Sequence, residues 1–298
     1  MSAVVFAYHN VGVRCLSVLL AHGINIKLVV THSDASNENI WFNSVADLAA
    51  QHDIPVVAPE NPHDGKTMKL LHDAAPDFLF SFYYRLLLKS SILKIPKKGC
   101  YNMHGSLLPL YRGRVPVNWA VLHGETQTGA TLHAMVPKAD AGAIVDQMAV
   151  PILQNDTSKD VFDKVLVASE LVLHRSVPLL LAGTAKHTAM DLSQGSYFSG
   201  RSAEDGRINW GQSALQIHNL VRAVTHPYPG AFAETVKGRL VLWRTMICDE
   251  LKEMSEGPAL FMSNGKMYLR AGDGGVLRVL EVEVDGETVT AIEDTIPL

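Results

Sequence analysis

The chain has 298 residues, of which 47% are hydrophobic and 19% are charged, and its formal net charge is −4. This composition is that of a folded globular protein and excludes a disordered chain, while the length allows more than one domain. The acidic balance, with a pI of about 6.3, argues against general affinity for nucleic acid, which needs a basic surface.

The cysteines and the N-terminus indicate the cellular compartment. Cys15, Cys100 and Cys248 are widely spaced and form neither a disulfide framework nor a zinc-binding pattern. The N-terminus lacks the basic start and long apolar run of a signal peptide, and no apolar stretch approaches the roughly 20 residues that cross a bilayer. We therefore expect a cytoplasmic protein with no membrane insertion and no metal.

Short apolar runs alternate with segments of helical spacing over the first hundred residues. Strands are predicted at residues 3–8, 24–32, 55–59, 77–84 and 99–106, with helices at 11–23, 44–54 and 66–76 between them. This alternation predicts an α/β domain with a Rossmann-like, mostly parallel sheet covered on both faces. The first strand-to-helix turn, YHNVG, lacks G-x-G-x-x-G, so a dinucleotide is not expected on it.

The second half of the chain changes character near residue 200. A strand pair at 128–136 and 143–152 is followed by a long helix at 158–183. The Ser- and Gly-rich stretch 193–207 is interpreted as a linker. Beyond one further helix, short strands separated by turn signals predict a small β-barrel. We expect a catalytic domain at 1–200 and a barrel domain at 201–298.

Asn102 and His104 are the first candidates for chemistry. They lie two residues apart on the predicted strand 99–106, so their side chains share one face, and Met103 points to the other. At the carboxyl end of a parallel strand, such a face opens onto the crevice where ligands bind. An amide N–H and an imidazole there could stabilise an oxyanion and move a proton. The alternative is a strand end with two ordinary polar residues.

Asp140 is the third candidate, in the turn-rich loop 137–143 between two predicted strands. A carboxylate beside His104 would favour the imidazolium and orient the ring. The alternative is an aspartate that only forms the turn before Ala141 and Gly142. Spacing alone does not bring residues 102, 104 and 140 together.

The segment 102–147 carries a longer pattern, with N-x-H, an S-L-L-P turn, a following R-G and a D-x-G loop. In this it resembles the folate-dependent formyltransferases. Farther on, INW at 208–210 and LVRAVTHPYPGAF at 220–232 resemble the start of that family's OB-like second domain. The resemblance covers nearly the whole chain. It implies a formyltransferase fold with a smaller C-terminal OB-like barrel.

The resemblance implies a reaction, transfer of formyl from 10-formyltetrahydrofolate to an amine, and a role for particular residues. His104 resembles the general acid/base, Asn102 the transition-state stabiliser, and Asp140 the carboxylate that tunes the histidine. The positions that match folate contacts are Leu86, Leu87, Leu88, Arg114, Val136, Pro137, Lys138 and Ala139.

Tyr111, Trp119 and Arg201 are candidates to contact the substrate. Core packing is the alternative for the two aromatic residues, and ordinary surface charge is the alternative for the arginine.

Local residues distinguish the branches of this family. Methionyl-tRNA formyltransferase carries a basic insertion after its second strand, whereas residues 31–50 here contain no Lys or Arg and include Asp34 and Glu38. FSFYYR at 80–85 resembles the branch that formylates UDP-4-amino-4-deoxy-L-arabinose. That enzyme is bifunctional and continues into a decarboxylase domain, so this chain, which stops at Leu298, resembles a stand-alone version of its formyltransferase half.

The expected partner is therefore a nucleotide-linked amino sugar rather than nucleic acid, and a role in lipid A modification and polymyxin resistance is implied by the resemblance. Other dTDP- or GDP-linked amino sugars stay open as acceptors. Methionyl-tRNA formylation, a non-catalytic folate- or nucleotide-binding module and a formyl-folate hydrolase are the further alternatives.

Overall fold

The structure is a computed structural model that describes residues 1–34, 39–248 and 257–298. Residues 35–38, which include Glu38 of the loop 31–50, lie outside the described residues. The chain divides into two compact units. The first comprises Met1–Pro116, Thr128–Val150 and Asp163–Phe198, and the second comprises Val117–Gln127, Pro151–Phe162 and Ser199–Leu298.

The first unit is built on a seven-stranded sheet with the order β3-β2-β1-β4-β5-β7-β8. Its strands are β1 (Ser2–Ala7), β2 (Asn25–Val30), β3 (Val56–Val57), β4 (Phe78–Phe82), β5 (Gly99–His104), β7 (Gln127–Ala134) and β8 (Ile144–Pro151). The pairings from β3 through β5 are parallel, and β7 runs antiparallel to β5. The predicted mostly parallel α/β sheet is confirmed.

Helices connect the strands of this sheet, and four of them overlap the helices predicted at 11–23, 44–54, 66–76 and 158–183. They are α1 (His9–Ala21), α2 (Val45–Gln51), α3 (Gly65–Ala74), α4 (Ser90–Leu93), α5 (Pro116–Leu122) and α6 (Ser158–Ala182). The side chains of Ser44 and Asp64 cap α2 and α3 by accepting backbone N–H bonds from Asp47 and Thr67. The core strands β1 and β4 are buried almost throughout, as expected for a sheet covered on both faces.

The second unit contains an antiparallel sheet of the half-barrel kind, with the order β10-β11-β14-β13-β12-β16. Its strands are β10 (Ala231–Thr235), β11 (Gly238–Cys248), β12 (Ala259–Ser263), β13 (Lys266–Arg270), β14 (Val276–Val284), β15 (Glu287–Thr288) and β16 (Ile296–Pro297). Helix α7 (Ala214–Val224) precedes them and is capped by Ser213, which forms a capping box with Gln216. The predicted OB-like character of this part is confirmed.

The stretch interpreted as a linker is more ordered than its composition indicates. Tyr197–Phe198 forms strand β9, which pairs in parallel with β6 (Arg112–Gly113), and short 3₁₀ helices cover Leu192–Gln194 and Ala203–Gly206. The Ser and Gly content predicts irregular backbone over this stretch. It does not reveal that the hydroxyl of Ser196 accepts a hydrogen bond from the N–H of Tyr111, 85 residues earlier in the chain.

Among the described residues, helix α6 is long and apolar enough to cross a membrane by length and composition. The expectation that no segment reaches that length is therefore not met by this helix. Its apolar side chains include buried Val161, Phe162, Val165 and Leu173, as in a helix that packs on a core.

A substitution at Leu132 in β7 would test the packing of the core between β5 and β7. It is fully buried and lies opposite Met103 of β5. We expect Leu132→Ala to lower the free energy of unfolding by about 2–5 kcal/mol, because it leaves a cavity in a close-packed core. Leu171→Ala on α6 is the matched control, since Leu171 is 47% exposed, and we expect a change within about 0.5 kcal/mol. Urea unfolding followed by circular dichroism measures both, and equal effects would contradict this view of the core.

Candidate active site

Strands β5 and β7 bring two polar pairs face to face. In their antiparallel register, Asn102 lies opposite His133, and His104 lies opposite Thr131. Residues opposite each other and residues two apart share one face of a sheet, so all four side chains lie on the same side. His104 ends β5, at the carboxyl edge of the parallel part of the sheet. The sequence-based prediction that Asn102 and His104 share a face agrees with this register.

His133 fixes the amide of Asn102. Nδ1 of His133 lies 2.9 Å from the carbonyl oxygen of Ala134, which can only accept, so Nδ1 carries the proton. In the neutral ring, Nε2 is then an acceptor, and it lies 3.2 Å from Nδ2 of Asn102. One N–H of the amide is used in this way, and its second N–H is available to a bound ligand.

The carboxylate of Asp140 lies between the two imidazoles. Its Oδ1 is 3.6 Å from Nδ1 of His104 and 3.5 Å from Nε2 of His133, and its Oδ2 accepts a 2.9 Å hydrogen bond from the backbone N–H of Gly113. The side chains of Asp140, His104 and His133 are 13%, 7% and 2% exposed. The structure thus joins residues 102, 104 and 140, which their spacing could not.

Gly113 can approach Asp140 only because it has no side chain. Its φ is +98°, in the region that favours glycine, and a Cβ at this position would lie 2.2 Å from the carbonyl oxygen of Phe198. The short β6–β9 pairing therefore requires glycine here. That pairing in turn aims the N–H of Gly113 at the carboxylate.

Burial acts on the pKa of Asp140 in the upward direction, but the other contacts outweigh it. The positive charge available on the rings of His104 and His133, and the N–H of Gly113, together hold the pKa of Asp140 well below its ordinary value. Asp140 is consequently an anion throughout the neutral range.

The second nitrogen of His104, Nε2, makes the shorter of the two contacts of the ring. Nε2 lies 2.8 Å from the carbonyl oxygen of Tyr111, so it is a donor to that oxygen, while Nδ1 faces Asp140. Both ring nitrogens therefore face acceptors. A buried histidine held at both nitrogens between a carbonyl and a carboxylate can release and recover one proton without reorienting.

The turn after β5 is tied to the same face of the sheet. The hydroxyl of Thr131 donates to the carbonyl of Ser106 at 2.6 Å, and the hydroxyl of Ser106 donates to the carbonyl of Leu110 at 2.7 Å. Gln147 donates from Nε2 to the carbonyl of Leu108 at 3.0 Å. These bonds bring Tyr111 back to His104.

Several residues around this edge of the sheet have a strained backbone. His9, Tyr83, Tyr111 and Asp140 all have positive φ, between +48° and +63°. The first two directly follow or nearly follow the ends of β1 and β4, and the others lie in the loops described above. Bulky residues adopt this conformation at a cost of order 1–3 kcal/mol each, and such strain persists mainly at functional sites.

Two family profiles match the chain. Residues 14–177 match the family described as formyl transferase, and residues 201–296 match the formyl transferase C-terminal domain. The chain belongs to the formyl transferase family. It is accordingly an enzyme that transfers a formyl group, and the recognised resemblance to formyltransferases is confirmed.

Solved structures share the fold of this formyl transferase. The N-formyltransferase from Helicobacter canadensis, in complex with folinic acid and dTDP-3-aminofucose, is 20% identical with a TM-score of 0.71, over 93% of this chain and 98% of that one. WlaRD, a sugar 3N-formyl transferase, is 19% identical with a TM-score of 0.74, over 98% and 99%. HypX from Aquifex aeolicus in complex with tetrahydrofolic acid is 16% identical with a TM-score of 0.64, over 99% of this chain and 45% of that one.

The positions predicted to contact folate lie in exposed loops of the formyl transferase, with one exception. Leu86 and Leu87 are 37% and 58% exposed, whereas Leu88 is buried in the core. The carbonyl oxygen of Leu87 lies 3.1 Å from Nε2 of His63. The remaining predicted positions are exposed or half-buried, namely Arg114, Val136, Pro137, Lys138 and Ala139.

The three positions predicted to contact the substrate fall into two groups. Tyr111 is buried and stacks on Phe198, with ring centroids 5.2 Å apart, and its backbone carbonyl contacts His104. Trp119 and Arg201 contact each other within the second unit, with the guanidinium 5.1 Å from the indole centroid. Arg201 also donates from Nη1 to Oδ1 of Asn118 at 2.6 Å.

His133 is the residue that sequence reasoning missed. A lone histidine in the apolar strand TGATLHA gives no signal by itself, because such residues often lie satisfied in a core. The signal that could have found it is the alternation of side chains along a strand. Once Thr131 of β7 is known to lie opposite His104, His133, two positions later, must lie on the same face of the sheet.

The charge of Asp140 predicts a particular dependence of stability on pH. Because its pKa in the folded state is below the unfolded value of about 3.9, its stabilising contribution is complete above that value and is lost as the pH falls below it. We expect Asp140→Asn to lower the free energy of unfolding by about 1–3 kcal/mol at pH 7, with the difference from wild type shrinking toward pH 3. Urea titrations at both pH values measure this, and a difference that grows in acid would contradict it.

Proposed function

We propose that this formyl transferase moves the formyl group of 10-formyltetrahydrofolate to the amine of a nucleotide-linked amino sugar, with UDP-4-amino-4-deoxy-L-arabinose as the first candidate. The observation that carries the proposal is the convergence of His104 and His133 on the buried carboxylate of Asp140, with the amide of Asn102 in contact with His133. Folate-type ligands and a dTDP-linked amino sugar are bound by the similar structures, which supports this choice of donor and acceptor class.

In the proposed reaction, the neutral sugar amine attacks the formyl carbon, and a C–N bond forms. The N–H of Asn102 that His133 does not use stabilises the oxygen as it gains negative charge, a contribution of about 3–4 kcal/mol for one well-placed donor. His104, held by Asp140 and the carbonyl of Tyr111, transfers the proton from the amine to N10 of the folate as the bond between N10 and the formyl carbon breaks.

The proposed binding residues follow from the same resemblance. The folate would bind against Leu86 and Leu87, Arg114 and the loop from Val136 to Ala139. The sugar substrate would contact Tyr111, Trp119 and Arg201. Anionic groups on either substrate suit the exposed guanidinium of Arg114.

The segment 80–85 supports an acceptor of the nucleotide-sugar class. Tyr84 stacks on His32 with centroids 4.2 Å apart, and the guanidinium of Arg85 lies 4.4 Å from the ring centroid of Tyr8. Aromatic faces and a cation beside the edge of β4 suit a nucleobase and a diphosphate. Lipid A modification, polymyxin resistance and a cytoplasmic location would follow if the sugar is the arabinose derivative.

The first experiment is a formylation assay with an acceptor panel, read by mass spectrometry. Purified protein is incubated with 10-formyltetrahydrofolate and UDP-4-amino-4-deoxy-L-arabinose, a dTDP-4-amino-hexose or methionyl-tRNA. We expect the formyl mass gain on a nucleotide sugar. A gain on methionyl-tRNA alone would replace the proposed acceptor, and formate release without any acceptor would indicate hydrolysis instead.

Variants in the same assay test the roles of His104 and Asp140. We expect His104→Ala and Asp140→Ala to lower kcat by about 10²–10⁴-fold, because proton transfer loses its carrier or the partner that orients it. His72→Ala, at an exposed position on α3, is the matched control and should keep wild-type turnover. Wild-type kcat in both site variants, with circular dichroism spectra unchanged, would refute the proposed site.

His133 should act through Asn102 rather than on the substrate itself. We expect His133→Leu to lower kcat by about 10–100-fold with little change in KM, because the amide loses the acceptor that orients it. His133→Gln, whose side-chain carbonyl can accept the same N–H, should recover part of this loss. A rise in KM at constant kcat in His133→Leu would show instead that His133 contacts the substrate.

A further inference from the structure

A polar cavity lies within the second unit, between α7 and strand β11. Its volume is about 140 Å³, and its wall includes His218, Arg222, Trp243, Arg244 and Thr245. Water occupies about 30 Å³ per molecule in the liquid, so the space admits a few waters or one tetrahedral oxyanion. None of the described residues that line it is acidic.

His218 lines the cavity, and hydrogen bonds to both of its ring nitrogens hold the ring in place. Nε2 donates to the carbonyl oxygen of Gln154 at 3.0 Å, and Nδ1 therefore accepts from the hydroxyl of Thr245 at 2.9 Å. Burial lowers the pKa of His218, which agrees with the neutral ring. His218 thus supplies shape, and the charge of the cavity comes from elsewhere.

Arg222 supplies buried positive charge. It is 6% exposed, and it donates from Nε to Oδ1 of Asn219 at 2.9 Å and from Nη1 to the carbonyl oxygen of Asp156 at 3.1 Å. Both partners are neutral groups. Burial lowers the pKa of Arg222 by more than the nearby carboxylate of Asp156 raises it.

Trp243 and Arg244 complete the wall as successive residues of β11. Trp243 is 8% exposed, and its indole N–H has no hydrogen-bond partner among the described residues. The ring is held by stacking on His226 at 3.8 Å between centroids. Arg244 is exposed at the rim, and its neighbour across the sheet is Glu281, which pairs with His226 at 3.9 Å.

We infer that this cavity is a binding site for a small oxyanion, a phosphate group either free or carried by a nucleotide. A buried guanidinium, an unpartnered indole N–H and a second guanidinium at the rim are donors only. A phosphate would accept from all three and offset the positive charge of the two guanidinium groups. The two nearby carboxylates, of Asp156 and Glu281, are not among the residues that line the cavity.

Isothermal titration calorimetry of the full chain with inorganic phosphate tests this site. We expect saturable binding of one phosphate, weakened at least about tenfold by Arg244→Gln, because the rim charge is lost. Trp243→Phe, which keeps the stacked ring and removes the N–H, should weaken binding by about twofold to tenfold. Thermal unfolding of each variant checks that the fold is retained.

Arg239→Gln is the matched control, since Arg239 is exposed on the same strand and does not line the cavity. It should leave phosphate affinity unchanged within about twofold. Equal weakening by Arg239→Gln and Arg244→Gln would show general surface screening and overturn the site, as would the absence of saturable heat.

A parallel titration with uridine 5′-monophosphate separates the two sources of the phosphate. If the nucleotide binds with the same affinity as phosphate and the same sensitivity to Arg244→Gln, the site takes the free oxyanion. Tighter nucleotide binding with that sensitivity assigns the site to a nucleotide phosphate. Nucleotide heat that is insensitive to Arg244→Gln belongs to another part of the protein and, with no phosphate binding, rejects the inference.

Discussion

The site depends on a carboxylate that has been taken out of water. An isolated buried charge is costly, so Asp140 must be surrounded by donors that come from the protein itself. The three polar groups nearest to it, the rings of His104 and His133 and the N–H of Gly113, belong to three different strands. The charge of Asp140 therefore links three segments of the chain: the loop that carries Asp140, the turn after β5 and the β6–β9 pairing.

The same requirement gives different tasks to two chemically identical rings. His104 has one nitrogen at the carbonyl of Tyr111 and the other at the carboxylate, which suits a proton carrier. His133 has its proton fixed on Nδ1 by the carbonyl of Ala134, so its other nitrogen can receive the amide of Asn102. In the proposed reaction, the local backbone rather than the residue type decides which histidine exchanges protons and which one orients a neighbour.

The sequence predicts the fold and much of the site, because both are encoded in local patterns. Alternation of apolar strands with helical segments is enough for the sheet, and the N-x-H spacing is enough to place Asn102 and His104 on one face. The participation of His133 depends on which strand lies beside β5 and in which register, and neither follows from periodicity. The burial of Tyr111 against Phe198 is likewise a long-range contact that composition cannot reveal.

The pairing of β6 with Tyr197–Phe198 has a consequence for protein engineering. The N-terminal family match ends at residue 177, yet the backbone that holds Gly113 in place continues to Phe198. A chimera that joins this N-terminal part to another enzyme's second domain at the end of α6 would replace Tyr197–Phe198 with foreign residues. The carbonyl oxygen of Phe198 lies so close to Gly113 that a different backbone path there would disturb the β6–β9 pairing. Crossover points placed after Phe198 would keep the strand β9 with the loop that it pairs with, and would exchange the second domain without disturbing the surroundings of Asp140.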